Sequence, residues 1–127
     1  MSGYAISFVF PMYNEADNIE ETIRRVSRLA KEICGDYEIV VADDASTDTS
    51  AEIVERLARD DPHVKLIRLK TNTKFGGALW AALKAASKDV IVYTDSDLPV
   101  KEDDIKKALE LLGCADIITG YSLVIKD

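Results

Sequence analysis

The sequence predicts an α/β fold, a mainly parallel sheet with strand order 3-2-1-4 and helices on both faces. Short apolar segments alternate with stretches in which apolar residues recur at helical spacing, as in chains of β-α-β units. Acidic residues also follow three of the predicted strands, and open α/β sheets bind ligands beyond the carboxyl ends of their strands. We expect one domain over residues 1–127.

Five segments have the length and composition of strands. The run at residues 90–93 (VIVY) is continuously apolar, which predicts a strand buried on both faces. The segment at residues 64–69 alternates apolar and basic residues, which is typical of an edge strand. The predicted strands in order are 5–10 (AISFVF), 37–42 (YEIVVA), 64–69 (VKLIRL), 90–93 (VIVY) and 115–119 (ADIIT).

Four helices connect these strands. Apolar residues mark them over residues 19–33, 53–58, 78–87 and 105–112. Thr49 and Glu52 have the spacing of a capping box at the start of the second helix, and Asp48 is also expected to stabilise that start. Trp80, in the third helix, is predicted to lie in the core.

Composition excludes several classes of function. The net charge of −7 argues against a nucleic-acid-binding protein that depends on basic patches. No apolar run approaches the roughly 18 residues that a membrane-spanning helix needs. The two cysteines, Cys34 and Cys114, match no metal-ligand spacing and are interpreted as reduced thiols. We therefore expect a cytoplasmic protein.

Two carboxylates follow the fourth predicted strand. Asp95 and Asp97 are one residue apart, so an extended chain would point both side chains the same way. Such a pair can hold a hard divalent cation, which in turn holds a diphosphate. Glu15 and Asp44 follow the first and second strands, and order 3-2-1-4 would bring all these carboxylates to one edge. A solvated turn is the alternative interpretation of the D-x-D triplet alone.

Other phosphate-binding folds fit less well. The loop after the first strand reads PMYNEADN and contains no glycine, which argues against a dinucleotide-binding Rossmann domain and a P-loop. A response-regulator receiver fits the length and the five predicted strands. It would need an aspartate after strand three, where this chain has Lys70, Thr71 and Asn72.

Four motifs together carry a resemblance to a known family. They are PMYNE at residues 11–15, DDASTD at 43–48, Asn72 and Gly76 before an alanine-rich helix, and DSDL at 95–98. In this order and spacing the chain resembles the N-terminal, donor-binding half of inverting nucleotide-sugar glycosyltransferases with the GT-A fold. The nearest match is the dolichyl-phosphate (polyprenyl-phosphate) mannosyl- and glucosyltransferase group. The resemblance covers nearly the whole chain.

The resemblance implies transfer of a hexose from a GDP- or UDP-sugar to polyprenyl phosphate, with inversion and with Mg²⁺ or Mn²⁺ as cofactor. It assigns no catalytic base. A non-catalytic nucleotide-sugar-binding module acting with a partner chain is the alternative. The implied site has Pro11, Tyr13 and Glu15 lining the nucleoside, Asp44 facing the base, Asp95 contacting ribose or metal, and Asp97 ligating the metal.

The chain departs from this family in two ways. Ser122 stands where many relatives carry an arginine that contacts the diphosphate. Family members also continue beyond the length of this chain, so the domain is expected to be truncated relative to the family. We expect a homo-oligomer, or a partner chain that supplies the acceptor half. Through such a partner, this protein is expected to reach the cytoplasmic face of a membrane. The predicted strand at residues 115–119 would be an open edge of the sheet, available for pairing with another strand.

Overall fold

A computed structural model describes residues 3–74 and 76–119, and Ser122 lies outside the described residues. Its sheet is parallel, with the strand order β3-β2-β1-β4. The α/β class and the 3-2-1-4 order predicted from the sequence are both confirmed. The strands are β1 (Ile6–Met12), β2 (Tyr37–Asp43), β3 (Val64–Arg68) and β4 (Val90–Tyr93).

Helices lie on both faces of the sheet, as predicted. They are α1 (Ile19–Ile33), α2 (Ser50–Asp60), α3 (Gly77–Ala85) and α4 (Glu102–Glu110), the last followed by a short 3₁₀ turn (Leu111–Gly113). The larger core buries Phe8 and Phe10 of β1 against α1, α2 and α4. Across the sheet, α3 places Ala78 and Ala82 against Val9 of β1 and the neighbouring residues of β2. Small side chains on α3 let this helix approach the sheet closely.

Three expectations about the strands and the core are wrong. Residues 115–119 do not form a strand. Strand β4 is not buried on both faces, since Ile91 and Tyr93 are 45% and 49% exposed. Trp80 is not in the core and is 62% exposed. In the described part of the chain β4 is an edge strand paired with β1, and α3 packs on β1 and β2. Trp80 therefore points away from the inward-facing Ala78 and Ala82, with Lys84 Nζ 5.8 Å from its ring.

Within residues 3–74 and 76–119, no helix has the length and apolar character needed to cross a membrane. The described cysteines, Cys34 and Cys114, are both free thiols. Burial raises the pKa of the Cys34 thiol.

Candidate functional site

The carboxyl ends of the four parallel strands meet at one edge of the sheet, and every residue predicted for the site lies there. Four loops leave this edge: the first (residues 13–18), the second (44–49), the third (69–76, described except for 75) and the fourth (94–101). Pro11 lies near the end of β1, past the last pairing of β4 with β1 at Tyr93 and Val9. Proline fits there because its missing amide hydrogen removes no hydrogen bond to β4.

Asn14 joins the first loop to the second. Its side-chain Oδ1 accepts hydrogen bonds from the backbone amides of Thr47 at 2.8 Å and Asp48 at 3.3 Å. The backbone amide of Asn14 donates a hydrogen bond to the Ser46 hydroxyl at 2.9 Å. Asn14 has a left-handed backbone with φ of 53°, a conformation that asparagine tolerates better than most residues. The two loops therefore form one connected surface.

Asp48 stabilises the start of α2, as predicted. Its Oδ1 accepts hydrogen bonds from the Ser50 amide at 2.9 Å and from the Ser50 hydroxyl, and its Oδ2 accepts one from the Ala16 amide at 3.3 Å. The hydrogen bond from the Ser50 hydroxyl is the main cause that lowers the pKa of Asp48. The predicted capping box is wrong, because the Thr49 side chain makes no capping hydrogen bond. The hydrogen bond to Asp48 instead satisfies the amide of Ser50, the first residue of the helix.

Glu15 lies at the junction of the first loop and α1. Its amide donates to the Ser50 hydroxyl at 2.8 Å, and its carbonyl accepts from the amides of Asn18 and Ile19. The side-chain Oε2 accepts a hydrogen bond from Asn18 Nδ2 at 3.0 Å. Tyr13, two residues earlier, is 46% exposed. Glu15 is thus anchored through its backbone, and the Tyr13 ring is accessible above the end of β1.

Asp44 is held from two sides and is 9% exposed. Its Oδ1 accepts hydrogen bonds from the amide and hydroxyl of Thr73, at 2.8 and 2.9 Å, and Asn72 Nδ2 donates to its carbonyl at 3.1 Å. Its amide donates to the Met12 carbonyl at 2.8 Å. In the part of the chain that the structure describes, Oδ2 of Asp44 has no hydrogen bond. This oxygen is the atom with which Asp44 can accept a bond from a ligand.

Gly77 allows Thr73 to reach Asp44. A Cβ at Gly77 would lie 2.5 Å from the Thr73 Cβ, closer than side chains tolerate, and Gly76 has a left-handed backbone with φ of 82°. Thr73 was not identified from the sequence. A glycine pair is a signal that could point to a close backbone approach, but nothing in the sequence shows which residue approaches.

Asp43, next to Asp44, has a different role. It is 2% exposed, and its carboxylate oxygens lie 3.3 and 3.4 Å from the Ser46 amide. The following Ala45 has a left-handed backbone with φ of 60°. Asp43 therefore shapes the turn of the second loop, whereas Asp44, also largely buried at 9% exposed, is the member of the pair with a carboxylate oxygen left for a ligand.

The fourth loop presents two carboxylates to solvent. Asp95 and Asp97 are exposed, whereas Ser96 and Leu98 are 6% and 3% exposed. A hydrogen bond from the Leu98 amide to the Asp95 carbonyl, at 2.9 Å, closes a turn. Both carboxylates are exposed, but the segment is a turn and not the extended chain on which the expectation of same-side carboxylates was based.

The two carboxylates of the fourth loop suit a divalent cation that is coordinated partly by the protein and partly by a bound ligand. In residues 3–74 and 76–119 no group of three or more His, Cys, Asp or Glu side chains is arranged to hold a metal ion. Mg²⁺ is commonly bound through one or two carboxylates, with substrate phosphates and water completing its octahedron. Asp95 and Asp97 are suited to this arrangement, in which the protein supplies two ligands and a diphosphate supplies others.

A second charged cluster lies at the opposite edge of the sheet. Glu38 is 2% exposed and accepts hydrogen bonds from the Ser7 hydroxyl at 2.6 Å, the Ser87 amide at 2.6 Å and Lys65 Nζ at 2.5 Å. Burial opposes its ionisation, but the bonds from Lys65, Ser7 and Ser87 outweigh burial and lower the pKa of Glu38 to about 2. Its oxygens are engaged with the protein, so this cluster joins β1, β2, β3 and the turn before β4. An adjacent depression of about 280 Å³ includes Tyr37 and His63, whose rings are stacked 4.1 Å apart.

Comparison with known proteins gives relatives over nearly the whole chain. This chain is 36% identical over 123 residues to the undecaprenyl-phosphate 4-deoxy-4-formamido-L-arabinose transferase of Pseudomonas fluorescens (strain Pf0-1). The alignment covers 95% of this chain and 34% of the relative. The chain thus spans about a third of the length of this relative.

Solved structures share the fold. The mannosyltransferase PcManGT from Pyrobaculum calidifontis, in complex with GDP-Man and Mn²⁺, superposes with a TM-score of 0.74 at 29% identity, over 88% of this chain and 33% of that chain. S. aureus TarS 1-349 in complex with UDP-GlcNAc superposes with a TM-score of 0.69 at 29% identity, over 85% of this chain and 31% of that chain. The GT-A type of sheet implied by the sequence motifs is confirmed.

The family assignment rests on a match to almost the entire chain. Residues 7–122 match the model of glycosyl transferase family 2, a range that includes the three loops bearing Glu15, Asp44 and the D-x-D carboxylates. The resemblance stated from those motifs is therefore confirmed. This chain belongs to glycosyl transferase family 2.

Proposed function

We propose that this chain is the nucleotide-sugar-binding part of a glycosyltransferase that moves a hexose from a GDP- or UDP-sugar to polyprenyl phosphate with the help of Mg²⁺ or Mn²⁺. The observation that carries the proposal is the meeting of Glu15, Asp44 and the Asp95–Asp97 pair at one edge of a parallel sheet. Structural relatives in complex with GDP-Man and Mn²⁺, or with UDP-GlcNAc, support the ligand class.

Each side chain has a role suited to its environment. Pro11 and the exposed Tyr13 ring would cover the nucleoside, and Glu15 would accept hydrogen bonds from ribose hydroxyls. The free Oδ2 of the anchored Asp44 would accept an N–H from the base edge. Uracil and guanine both present such a donor, so this contact suits UDP and GDP alike.

Asp95 and Asp97 would hold the divalent cation. When bound, that cation neutralises the charge that develops on the departing nucleoside diphosphate. Through that cation, the two carboxylates would keep the diphosphate near an acidic edge that would otherwise repel it. Asp95, closer along the chain to the end of β4, would also reach the ribose.

The acceptor assignment follows the relatives. The Pseudomonas fluorescens relative is named as an undecaprenyl-phosphate sugar transferase. In the proposed reaction an oxygen of the acceptor polyprenyl phosphate attacks the anomeric carbon of the donor sugar. The bond from that carbon to the nucleoside diphosphate breaks, and the configuration of the anomeric carbon inverts. A phosphate monoester is largely ionised near pH 7, so its oxygen is a nucleophile that needs no general base. Action on a lipid would bring this cytoplasmic chain to the cytoplasmic face of a membrane, with a homo-oligomer or partner chain supplying the acceptor site.

Isothermal titration calorimetry of GDP-mannose and UDP-GlcNAc in the presence of Mn²⁺ tests the proposal. We expect saturable 1:1 binding of at least one of the two donors. Asp44→Ala should weaken it, whereas Asp36→Ala, an exposed aspartate at the opposite edge of the sheet, should leave it unchanged. Binding of neither donor, or equal binding by Asp44→Ala, would contradict the proposed site.

A further inference from the structure

Helix α1 contacts the fourth loop through a buried hydroxyl. Thr22 is 2% exposed, and its Oγ1 donates a hydrogen bond of 2.7 Å to the Ser96 carbonyl. Ser96 stands between the two carboxylates of the D-x-D motif and is itself 6% exposed. The orientation of its peptide group therefore affects the direction of both Asp95 and Asp97.

One turn further along α1, Arg25 contacts the same loop. Its guanidinium donates to the carbonyls of Leu98 and Val100, each at 3.4 Å, and forms an ion pair with Glu102 at 2.5 Å. The Glu102 hydrogen bond is the main cause that raises the pKa of Arg25. The Arg25 side chain is 27% exposed, so this contact is partly shielded from water. Thr22 and Arg25 thus hold carbonyls on either side of Asp97.

The fourth loop contains a backbone conformation that needs support from surrounding contacts. Leu98 has φ of 47°, a left-handed conformation that is unfavourable for a residue other than glycine. Such a conformation is retained where surrounding contacts determine it. Here those contacts are the burial of the Leu98 side chain in the core and the hydrogen bonds from α1.

We propose that Thr22 and Arg25 are positioning residues that hold the Asp95–Asp97 pair in the geometry needed to bind the cation and its diphosphate. The inference rests on the proposed function, since it assigns a task to residues around that site. Neither side chain needs to touch the nucleotide. Displacements of about 1 Å are enough to impair a site of this kind, so fixing one peptide group matters.

The test compares binding of GDP and UDP by calorimetry with Mn²⁺ and without it. Thr22→Val keeps the shape of the side chain and removes the hydroxyl that bonds to Ser96. We expect the dissociation constant measured with Mn²⁺ to rise about tenfold, and the one measured without Mn²⁺ to change less than twofold. Thr22→Ser keeps a hydroxyl and should retain most of the Mn²⁺-dependent affinity.

Arg25→Met removes the hydrogen bonds from Arg25 to the carbonyls of the fourth loop. Because Arg25 is only half-buried, this variant tests the positioning role even if Thr22→Val fails to fold. Its matched control is Arg28→Met on the same helix, where the arginine is 70% exposed and pairs with Glu21 at 3.6 Å. Arg25→Met should lower the Mn²⁺-dependent affinity, and Arg28→Met should not. In an Asp97→Asn background, Thr22→Val should have no further effect on that affinity, because the two residues act on one site.

The outcomes separate this inference from the proposed function. If the unchanged chain binds no nucleoside diphosphate with Mn²⁺, the proposed function and this inference both fail. If it binds with Mn²⁺ dependence, but the folded variants Thr22→Val and Arg25→Met keep the same ratio of affinities with and without Mn²⁺, the inference alone is overturned. Variants with lower thermal stability but an unchanged ratio of affinities with and without Mn²⁺ also overturn the inference, because that result would show that the contacts only stabilise the fold.

Discussion

The amide and the hydroxyl of Thr73 both donate hydrogen bonds to the same carboxylate oxygen of Asp44, at 2.8 and 2.9 Å. This arrangement fixes the Asp44 side chain and leaves its other oxygen for a ligand. A carboxylate anchored in this way loses little freedom when it binds, which favours affinity. The third loop is therefore part of the proposed base-recognition site, although it contains no carboxylate itself.

Thr73→Val should loosen Asp44 and raise the dissociation constant for GDP or UDP about tenfold, since a hydrogen bond to a charged group contributes about 1.5–3 kcal/mol. The loss should be the same with and without Mn²⁺, because the metal site is on a different loop. Calorimetry measures both values. Thr71→Val, an exposed threonine in the same loop, is the control. Equal affinities for the Thr73 and Thr71 variants would show that Thr73 does not anchor Asp44.

Asn14 joins the first two loops through its side chain, and its substitution should lower stability. Asn14→Gly keeps the left-handed backbone but loses the side-chain bonds to the second loop, which should reduce the free energy of unfolding by about 1–2 kcal/mol. Asn14→Ala should cost about 1 kcal/mol more, because alanine disfavours a positive φ. Urea denaturation compares the two variants. If Asn14→Gly is as stable as the unchanged chain, the side-chain bonds do not stabilise the loops.

Glu38 predicts a pH dependence of stability. Its pKa is lowered from 4.5 to about 2 in the folded chain, so its ionised form stabilises the fold above pH 4.5, and that contribution is lost as the pH falls from 4.5 towards 2. A shift of this size corresponds to about 3 kcal/mol. Glu38→Gln should lower the free energy of unfolding at pH 6 by about 2–4 kcal/mol, because a buried ion pair loses one partner.

Urea denaturation between pH 3 and pH 6 measures this effect. The difference between the unchanged chain and Glu38→Gln should shrink as the pH falls below 4.5. Glu110→Gln, at an exposed position near the end of α4, should follow the unchanged chain at every pH. A difference for Glu38→Gln that stays constant across this range would mean that the carboxylate charge is not the stabilising group.

Alternating apolar and amphipathic segments predicted the helices and the four described strands, and right-handed connections left few possible topologies. The order 3-2-1-4 was the one that brings the acidic residues after three of the strands to the same end of the sheet. The sequence patterns also located Glu15, Asp44, Asp95 and Asp97 at the ends of strands. What they could not predict is which face of an apolar element is covered. Trp80 is apolar and lies in a helix, yet its exposure depends on α3 packing on β1 and β2.

Contacts between residues distant in the sequence were also beyond prediction. Thr22 and Ser96 are separated by 74 positions, and no local pattern links a hydroxyl on a helix to a carbonyl in a later loop. Glu38 similarly looks like the polar member of a strand, and its burial depends on Lys65 and Ser87, which other elements supply. Positions along the chain therefore identified the carboxylates, and the folded structure identified the residues that hold them.

The central claim is that the D-x-D loop binds a divalent cation on which a nucleoside diphosphate depends, and Asp97→Asn tests it most directly. Calorimetric titration of GDP and UDP, with Mn²⁺ and with a chelator, should show for the unchanged chain an affinity at least tenfold higher with Mn²⁺. Asp97→Asn should lose most of that gain, because the amide removes the charge that attracts the cation. Asp103→Asn, at an exposed aspartate in the first turn of α4, should retain it. Equal affinities with and without Mn²⁺ in the unchanged chain, or an undiminished gain in Asp97→Asn, would contradict the account.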